Sequence, residues 1–159
     1  MMYLKSCCDL LEKKALKIAF IESATSGYLA AQFSIYKNSG ADILLGGLVS
    51  YDPIIKQEIL HIPTALIQQY SAESREVTQA MAKQGQCLFS TADMIVACTG
   101  LLKPGGSATA EKPEGTFFIS ILFDNTIHNA DYFLMGTPMQ RLNALTEHVA
   151  EQVLRIIQS

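Results

Sequence analysis

Lys17-Ile18-Ala19-Phe20-Ile21-Glu22-Ser23-Ala24-Thr25-Ser26-Gly27 is the stretch that decides the fold. Its first half reads as a short buried strand, with Ile18, Phe20 and Ile21 apolar. Its second half is a turn that opens a segment carrying Leu29, Phe33 and Tyr36 at helical spacing. Asn38-Ser39-Gly40 then breaks the pattern. A buried strand running straight into a helix is the unit of a sheet covered by helices.

Working outward, the same alternation continues. Upstream, Leu4, Cys8, Leu11 and Ala15 share one helical face. Downstream, residues 43–50 form a second buried strand, in which Gly46 and Gly47 suggest a bulge or a close backbone approach. Asp52 and Pro53 suit the cap and first turn of a helix. A short helix follows Pro63. Ser71 or Ser74 caps another, with Val77, Ala80, Met81 and Leu88 on its inner face. Residues 93–98 form a third buried strand. Residues 116–123 and 126–135 pair through a tight Asp124-Asn125 turn. A last helix carries Leu142, Leu145, Val149, Val153 and Ile156 on one side. The order α-β-α-β-α-α-β-β-β-α predicts a three-layer α/β/α sandwich with a mixed, mainly parallel sheet. It predicts one domain over residues 1–159.

Composition narrows the function. The chain of 159 residues is 49% hydrophobic and 17% charged. That is apolar enough to fold and too apolar for a disordered tail. The formal charge of −3 comes without a Lys or Arg run. This argues against nucleic acid as a partner. No stretch reaches the roughly 18 uninterrupted apolar residues of a membrane span. The N-terminus does not read as a signal peptide. Cys7, Cys8, Cys87 and Cys98 make no C-x-x-C pair, and His61, His128 and His148 are scattered. No metal site is therefore expected. Free thiols suit a reducing cytoplasm. The high apolar content points to a homo-oligomer.

In such a sheet, ligands gather at the carboxyl ends of the strands. The ends to inspect are Glu22-Ser23, Ser50-Tyr51 and Thr99-Gly100, which converge if the three strands are neighbours. Ser23 lies at a strand-to-helix turn, facing the amides of a helix N-terminus, where developing negative charge is favoured. A serine there also serves as a plain helix cap. A nucleophilic serine needs a base. No histidine lies near these ends, but Lys56 sits about one turn beyond the second strand, and burial can turn a lysine into a base. Ser34-Ile35-Tyr36-Lys37 matches S-x-x-K but falls late in its helix, and it lacks the companion motifs. The loop from Lys103 to Thr116, with Gly105, Gly106, Ser107, Thr109 and Lys112, is the candidate phosphate cradle. It lacks the P-loop pattern.

Taken together, these segments resemble the CinA C-terminal domain family. The family pattern A-E-S-C-T-G-G reads here Ile21-Glu22-Ser23-Ala24-Thr25-Ser26-Gly27. The pattern G-x-V-x-Y-x-x-x-x-K runs in full from Gly47 to Lys56. G-A-V-S-E-E-V resembles the segment from Tyr70 to Val77. T-G-I-A-G-P-G-G and E-K-P-x-G-T resemble Thr99 to Gly106 and Glu111 to Thr116. The likeness spans about residues 10 to 157.

The resemblance implies an amidohydrolase that deamidates nicotinamide mononucleotide to nicotinate mononucleotide and ammonia, without metal or organic cofactor. By motif position Ser23 is the nucleophile, Lys56 its base and Tyr51 a catalytic partner. Glu22, Thr25, Ser26, Gly27, Thr99, Gly100, Gly105, Gly106 and Lys112 would contact the substrate. Ala24, Ser26 and Lys103 depart from the family pattern, and Ser26 is expected to crowd a substrate that needs close backbone approach. The family G-D-R after the last strand is Gly136-Thr137-Pro138, which leaves Arg141 as the candidate phosphate ligand. These departures carry a second reading, a binding or regulatory protein that keeps the fold without turnover.

Overall fold

The computed structural model describes residues 2–36 and 40–159. In chain order the elements are α1 (Met2–Lys13), β1 (Ile18–Glu22), α2 (Tyr28–Ile35), a 3-10 turn (Gly40–Asp42), β2 (Leu44–Val49), α3 (Pro53–Glu58), α4 (Thr64–Tyr70), α5 (Arg75–Leu88), β3 (Met94–Gly100), β4 (Thr116–Phe123), β5 (Thr126–Phe133) and α6 (Pro138–Gln158). The five strands form one sheet in the order β2-β1-β3-β4-β5. β2, β1 and β3 are parallel neighbours, while β4 and β5 add antiparallel pairings. The mixed α/β/α architecture is the one the alternation implies.

Alternation along the central strands sorts the core into two layers. Ile18, Phe20, Met94, Val96 and Cys98 face one side and pack with α1, α2 and α6 through Leu4, Leu11, Phe33, Leu145 and Val149. Ala19, Ile21, Ile95 and Ala97 face the other side and meet Leu60, Val77 and Met81 of the α3–α5 layer. Every residue of β1 and β3 is buried, as central parallel strands require. Each buried Ile, Leu or Phe side chain contributes about 1.5–3 kcal/mol on leaving water.

Local chemistry sets the element ends. Asp52 accepts the Ile54 amide at the start of α3, with Pro53 in the first turn. Of the two candidate caps, Ser74 is the one that starts α5, accepting from Val77 N. Thr137 and Gln140 form a reciprocal capping box on α6. Asp124 and Asn125 both adopt positive φ, 51° and 61°. A type I′ hairpin turn requires this of its two central residues.

Some expectations need correction. β2 is an edge strand whose residues alternate between half-buried and exposed, because nothing pairs with its outer side. Leu88 is exposed, and α5 buries Thr78, Ala82 and Gly85 beside Val77 and Met81. Gly85 lets α5 approach β1, since a Cβ there would meet Ile21 Cγ1 at 2.6 Å. Ile157 rather than Ile156 is the buried residue at the end of α6. Ala15 lies beyond α1 with φ 56°. Lys37 lies outside the described residues. Among those residues no helix is long and apolar enough to cross a membrane.

Candidate functional site

The parallel order β2-β1-β3 sets the three inspected strand ends side by side. Glu22 pairs with Val49 on one side and Cys98 on the other. The ladder continues past the strand: Ser23 N donates to Cys98 O at 3.1 Å, and Ser50 N donates to Glu22 O at 2.7 Å. Ser23 is thus clamped between its neighbours just where the chain turns towards α2.

Lys56 reaches this point from the first turns of α3. Its Nζ lies 2.9 Å from Ser23 Oγ and 2.5 Å from Ser50 O. The residue is 1% exposed. Burial pushes the ammonium down from the ordinary lysine value, opposed by the negative charges of Glu73 and Asp52. A neutral amine at this position has a lone pair to offer to the Ser23 hydroxyl and N–H groups for the Ser50 carbonyl. The pair therefore has the geometry of a serine activated by a buried base.

The turn after Ser23 differs from the sequence expectation. Glu22 is buried, and it accepts from Thr25 Oγ1 at 2.6 Å, Leu29 N at 2.9 Å and Ala30 N at 3.0 Å. Its carboxylate occupies the first-turn amides of α2, so those amides are not open to a ligand. Ser26 N is taken by Ser23 O at 3.0 Å. The amides of Ala24, Thr25 and Gly27 donate to no acceptor among the described residues, and they are the donors left at this turn. Ser26 adopts φ 52°, is exposed, and turns its hydroxyl back towards Ala24 O at 3.5 Å.

A cavity of about 150 Å³ adjoins the turn, lined by Ala24, Tyr51, Glu73, Gly100, Leu101, Leu102 and residues 103–106. Tyr51, Gly100, Gly105 and Gly106 thus face one space. Tyr51 is 54% exposed. Gly105 and Gly106 take positive φ of 97° and 63°. Lys103 is exposed at the same cavity. A larger cleft of about 470 Å³ runs past Phe118, Asp131 and Phe133, and neither space counts Ser23 or Lys56 among its lining residues.

Other expected contacts are engaged elsewhere. Thr25 spends its hydroxyl on Glu22. Thr99 is fully buried and shares a 2.8 Å hydrogen bond with Thr78. Lys112 donates to Ser71 Oγ and, at 2.6 Å, to Glu73 O, bracing the glycine loop against the start of α5. Arg141 is buried, and its guanidinium donates to Leu134 O, Leu102 O and Glu114. Through Nε and Nη1 it anchors the loop. Cys98 has its thiol pushed far up by burial, so it offers no thiolate beside Ser23.

Glu73 is the residue that sequence reasoning overlooked. It lines the cavity and receives a hydrogen bond from Ser107 Oγ. In the sequence it stands inside the segment from Tyr70 to Val77 that resembles the family pattern, with nothing local to mark it as a cavity residue.

Residues 3–157 match the CinA C-terminal domain family. A CinA-like protein of Mycobacterium avium (strain 104) is 43% identical over 105 residues, 66% of this chain and 24% of that protein. A CinA-like protein of Citrifermentans bemidjiense is 35% identical over 146 residues, 92% of this chain and 34% of that protein. The chain therefore spans between a quarter and a third of these curated relatives. Among solved structures, a competence-damaged protein (CinA) superfamily protein from Klebsiella pneumoniae superposes with a TM-score of 0.88 at 20% identity, covering 97% of this chain and 94% of that one. A competence or damage-inducible protein from Enterobacter asburiae gives 0.86 at 19% identity, covering 96% and 95%. At these identities the two structures speak for the fold.

Proposed function

The chain belongs to the CinA C-terminal domain family, and from that premise we propose that it is a Ser/Lys amidohydrolase that deamidates nicotinamide mononucleotide. The observation that carries the reading is the 2.9 Å contact between Lys56 Nζ and Ser23 Oγ at the carboxyl end of the sheet.

The chemistry follows from the geometry. Neutral Lys56 takes the proton of the Ser23 hydroxyl as Oγ attacks the carbonyl carbon of the amide. The carbonyl oxygen becomes an anion, and the open amides of Ala24, Thr25 and Gly27 are the donors closest in sequence to receive it. Collapse of this intermediate breaks the C–N bond, and Lys56 returns the proton to the leaving nitrogen, which departs as ammonia. Water then attacks the ester on Ser23, with Lys56 again as base, and releases the carboxylate and the free serine. Tyr51 stands beside the ring of the substrate, and Gly105, Gly106 and Lys103 receive its phosphate. No step draws on a metal or organic cofactor.

The test is ammonia release from nicotinamide mononucleotide by the parent, Ser23→Ala and Lys56→Met. The parent is expected to turn over, and each variant to lose about 10²–10⁴-fold or more. Because the two groups act as a unit, the double variant should be little worse than either single. A Ser23→Ala protein with near-parental turnover removes the nucleophile assignment. A folded parent that binds the nucleotide and releases no ammonia favours the binding-protein reading instead.

A further inference from the structure

We propose that Glu73 is a positioning residue: through Ser107, its carboxylate holds the glycine loop in place as a wall of the cavity beside Ser23. The loop's role towards substrate rests on the amidase reading, while its attachment to Glu73 stands apart from any reaction.

The loop is tied at both ends and once between them. Leu101 N donates to Thr116 O at 2.9 Å and Gly115 N to Leu101 O at 2.7 Å, which closes the base. Thr109 N donates to Lys112 O at 2.9 Å, which closes a small turn further along. Residues 103–108 make a single hydrogen bond among the described residues, from Ser107 Oγ to Glu73 Oε2. These residues include Lys103, Gly105 and Gly106, which line the cavity. A segment with two glycines loses much conformational freedom on ordering. The one bond that orders it therefore sets where the wall stands.

Glu73 is itself fixed. Ser71 Oγ donates to Glu73 O at 3.0 Å and Lys112 Nζ does so at 2.6 Å. Lys112 Nζ also donates to Ser71 Oγ. The ammonium thus answers part of the Glu73 charge and braces the backbone that carries it. The Lys112 contacts hold the far turn of the loop, and the Ser107 contact holds the part facing the cavity. A hydrogen bond to an ionised acceptor is stronger than one between neutral groups. Set on Ser74, Glu76 and Val77, the pattern G-A-V-S-E-E-V places a valine at Glu73, and valine offers Ser107 no acceptor. The same carboxylate also favours the charged form of Lys56, as Asp52 does. Its two effects have separable signatures.

The experiment compares the parent with Ser107→Ala, Glu73→Gln, Glu73→Val and the double variant Ser107→Ala/Glu73→Val. Backbone order parameters of Gly105, Gly106 and Ser107 report the loop directly. Ser107→Ala and Glu73→Val should each lower them from the rigid range, about 0.85, towards about 0.6 or below. Binding of nicotinamide mononucleotide, measured by calorimetry in the Ser23→Ala background where it is not consumed, should weaken about tenfold in each. In the active proteins KM should rise to match, with kcat within about twofold of the parent. The double variant should be no worse than either single, because both remove one bond. Glu73→Gln keeps an acceptor for Ser107, so its loop should stay ordered and its affinity within about threefold. It removes a charge that favours protonated Lys56, so its rate profile should move to lower pH. Ser107→Ala keeps that charge and should leave the profile in place.

Parental order parameters in both Ser107→Ala and Glu73→Val overturn the proposal. So do losses that add in the double variant, or that Glu73→Gln shares in full. Should Glu73→Val not fold, Ser107→Ala and Glu73→Gln still decide. A parent that releases no ammonia refutes the amidase reading and leaves the loop result standing. An active parent whose loop and KM ignore both substitutions refutes the positioning role alone.

Discussion

Thr25 Oγ1 donates to Glu22 Oε1 at 2.6 Å, tying the last residue of β1 to the turn that follows Ser23. The same carboxylate takes the amides of Leu29 and Ala30, so one side chain joins strand, turn and helix. Glu22 is therefore a scaffold residue, although its place beside Ser23 suggests a substrate contact. Glu22→Ala is expected to destabilise the fold by about 3 kcal/mol, because it strands buried donors that bonded a charged group. Urea unfolding measures this. A loss below about 1 kcal/mol would mean that the network relaxes easily.

Lys56 sets the pH dependence. Burial lowers its pKa below the ordinary 10.5. The neutral base is therefore populated at a lower pH than for an exposed lysine. Turnover should climb with pH and level off below the ordinary lysine value. Asp52 opposes the shift by favouring the charged form. Asp52→Asn keeps an effective helix cap while removing that charge. Its rate profile should therefore move to lower pH, by a small amount because Asp52 is exposed. A profile moving to higher pH contradicts the assignment of Lys56 as the titrating base.

Ser26 occupies the left-handed region, at φ 52°. That conformation costs a non-glycine residue roughly 1–2 kcal/mol, and glycine returns about 0.5–1 kcal/mol of this through unfolded-state entropy. Ser26→Gly should thus raise stability by about 0.5–1 kcal/mol at most. Its side chain points to solvent, so kcat/KM should stay within about twofold of the parent. Thermal melting and steady-state kinetics on one preparation separate the two effects. A tenfold gain in kcat/KM would restore the crowding explanation.

Periodicity and turn chemistry made most of the fold legible. The apolar run from Ile18, the Asp52-Pro53 start and the Asp124-Asn125 turn each carry their structure locally. The convergence of Ser23, Ser50 and Lys56 was also readable, because parallel neighbours place their carboxyl ends together. What stayed hidden depends on contacts between distant residues. Glu147 of α6 accepts the amides of Tyr3 and Leu4, and no local signal links residues so far apart. The edge position of β2 depends on strand order, which its apolar run does not reveal. The occupation of the α2 amides by Glu22 and the place of Glu73 at the cavity depend on side-chain direction, which spacing alone leaves open.

Arg141 gives the final prediction. Nε donates to Leu134 O at 2.9 Å, and Nη1 donates to Leu102 O at 3.0 Å and Glu114 Oε1 at 2.9 Å. One planar guanidinium thereby spans both ends of loop 101–115 and the exit from β5. The junction is tight: Gly115 has φ 97°, and a Cβ there would meet Leu134 O at 2.3 Å. Arg141→Lys keeps the charge, but a single ammonium cannot span three acceptors in this arrangement. It should cost about 2–3 kcal/mol of stability through lost bonds to buried carbonyls. Gly105, Gly106 and Lys103 ride on this loop, whereas Ser23 and Lys56 are held by β1 and α3. KM should accordingly rise several-fold, with kcat within about twofold of the parent. The loss should be similar for nicotinamide mononucleotide and nicotinamide riboside, because the guanidinium is engaged with the protein. A penalty confined to the phosphate-bearing substrate would instead return Arg141 to the role of phosphate ligand.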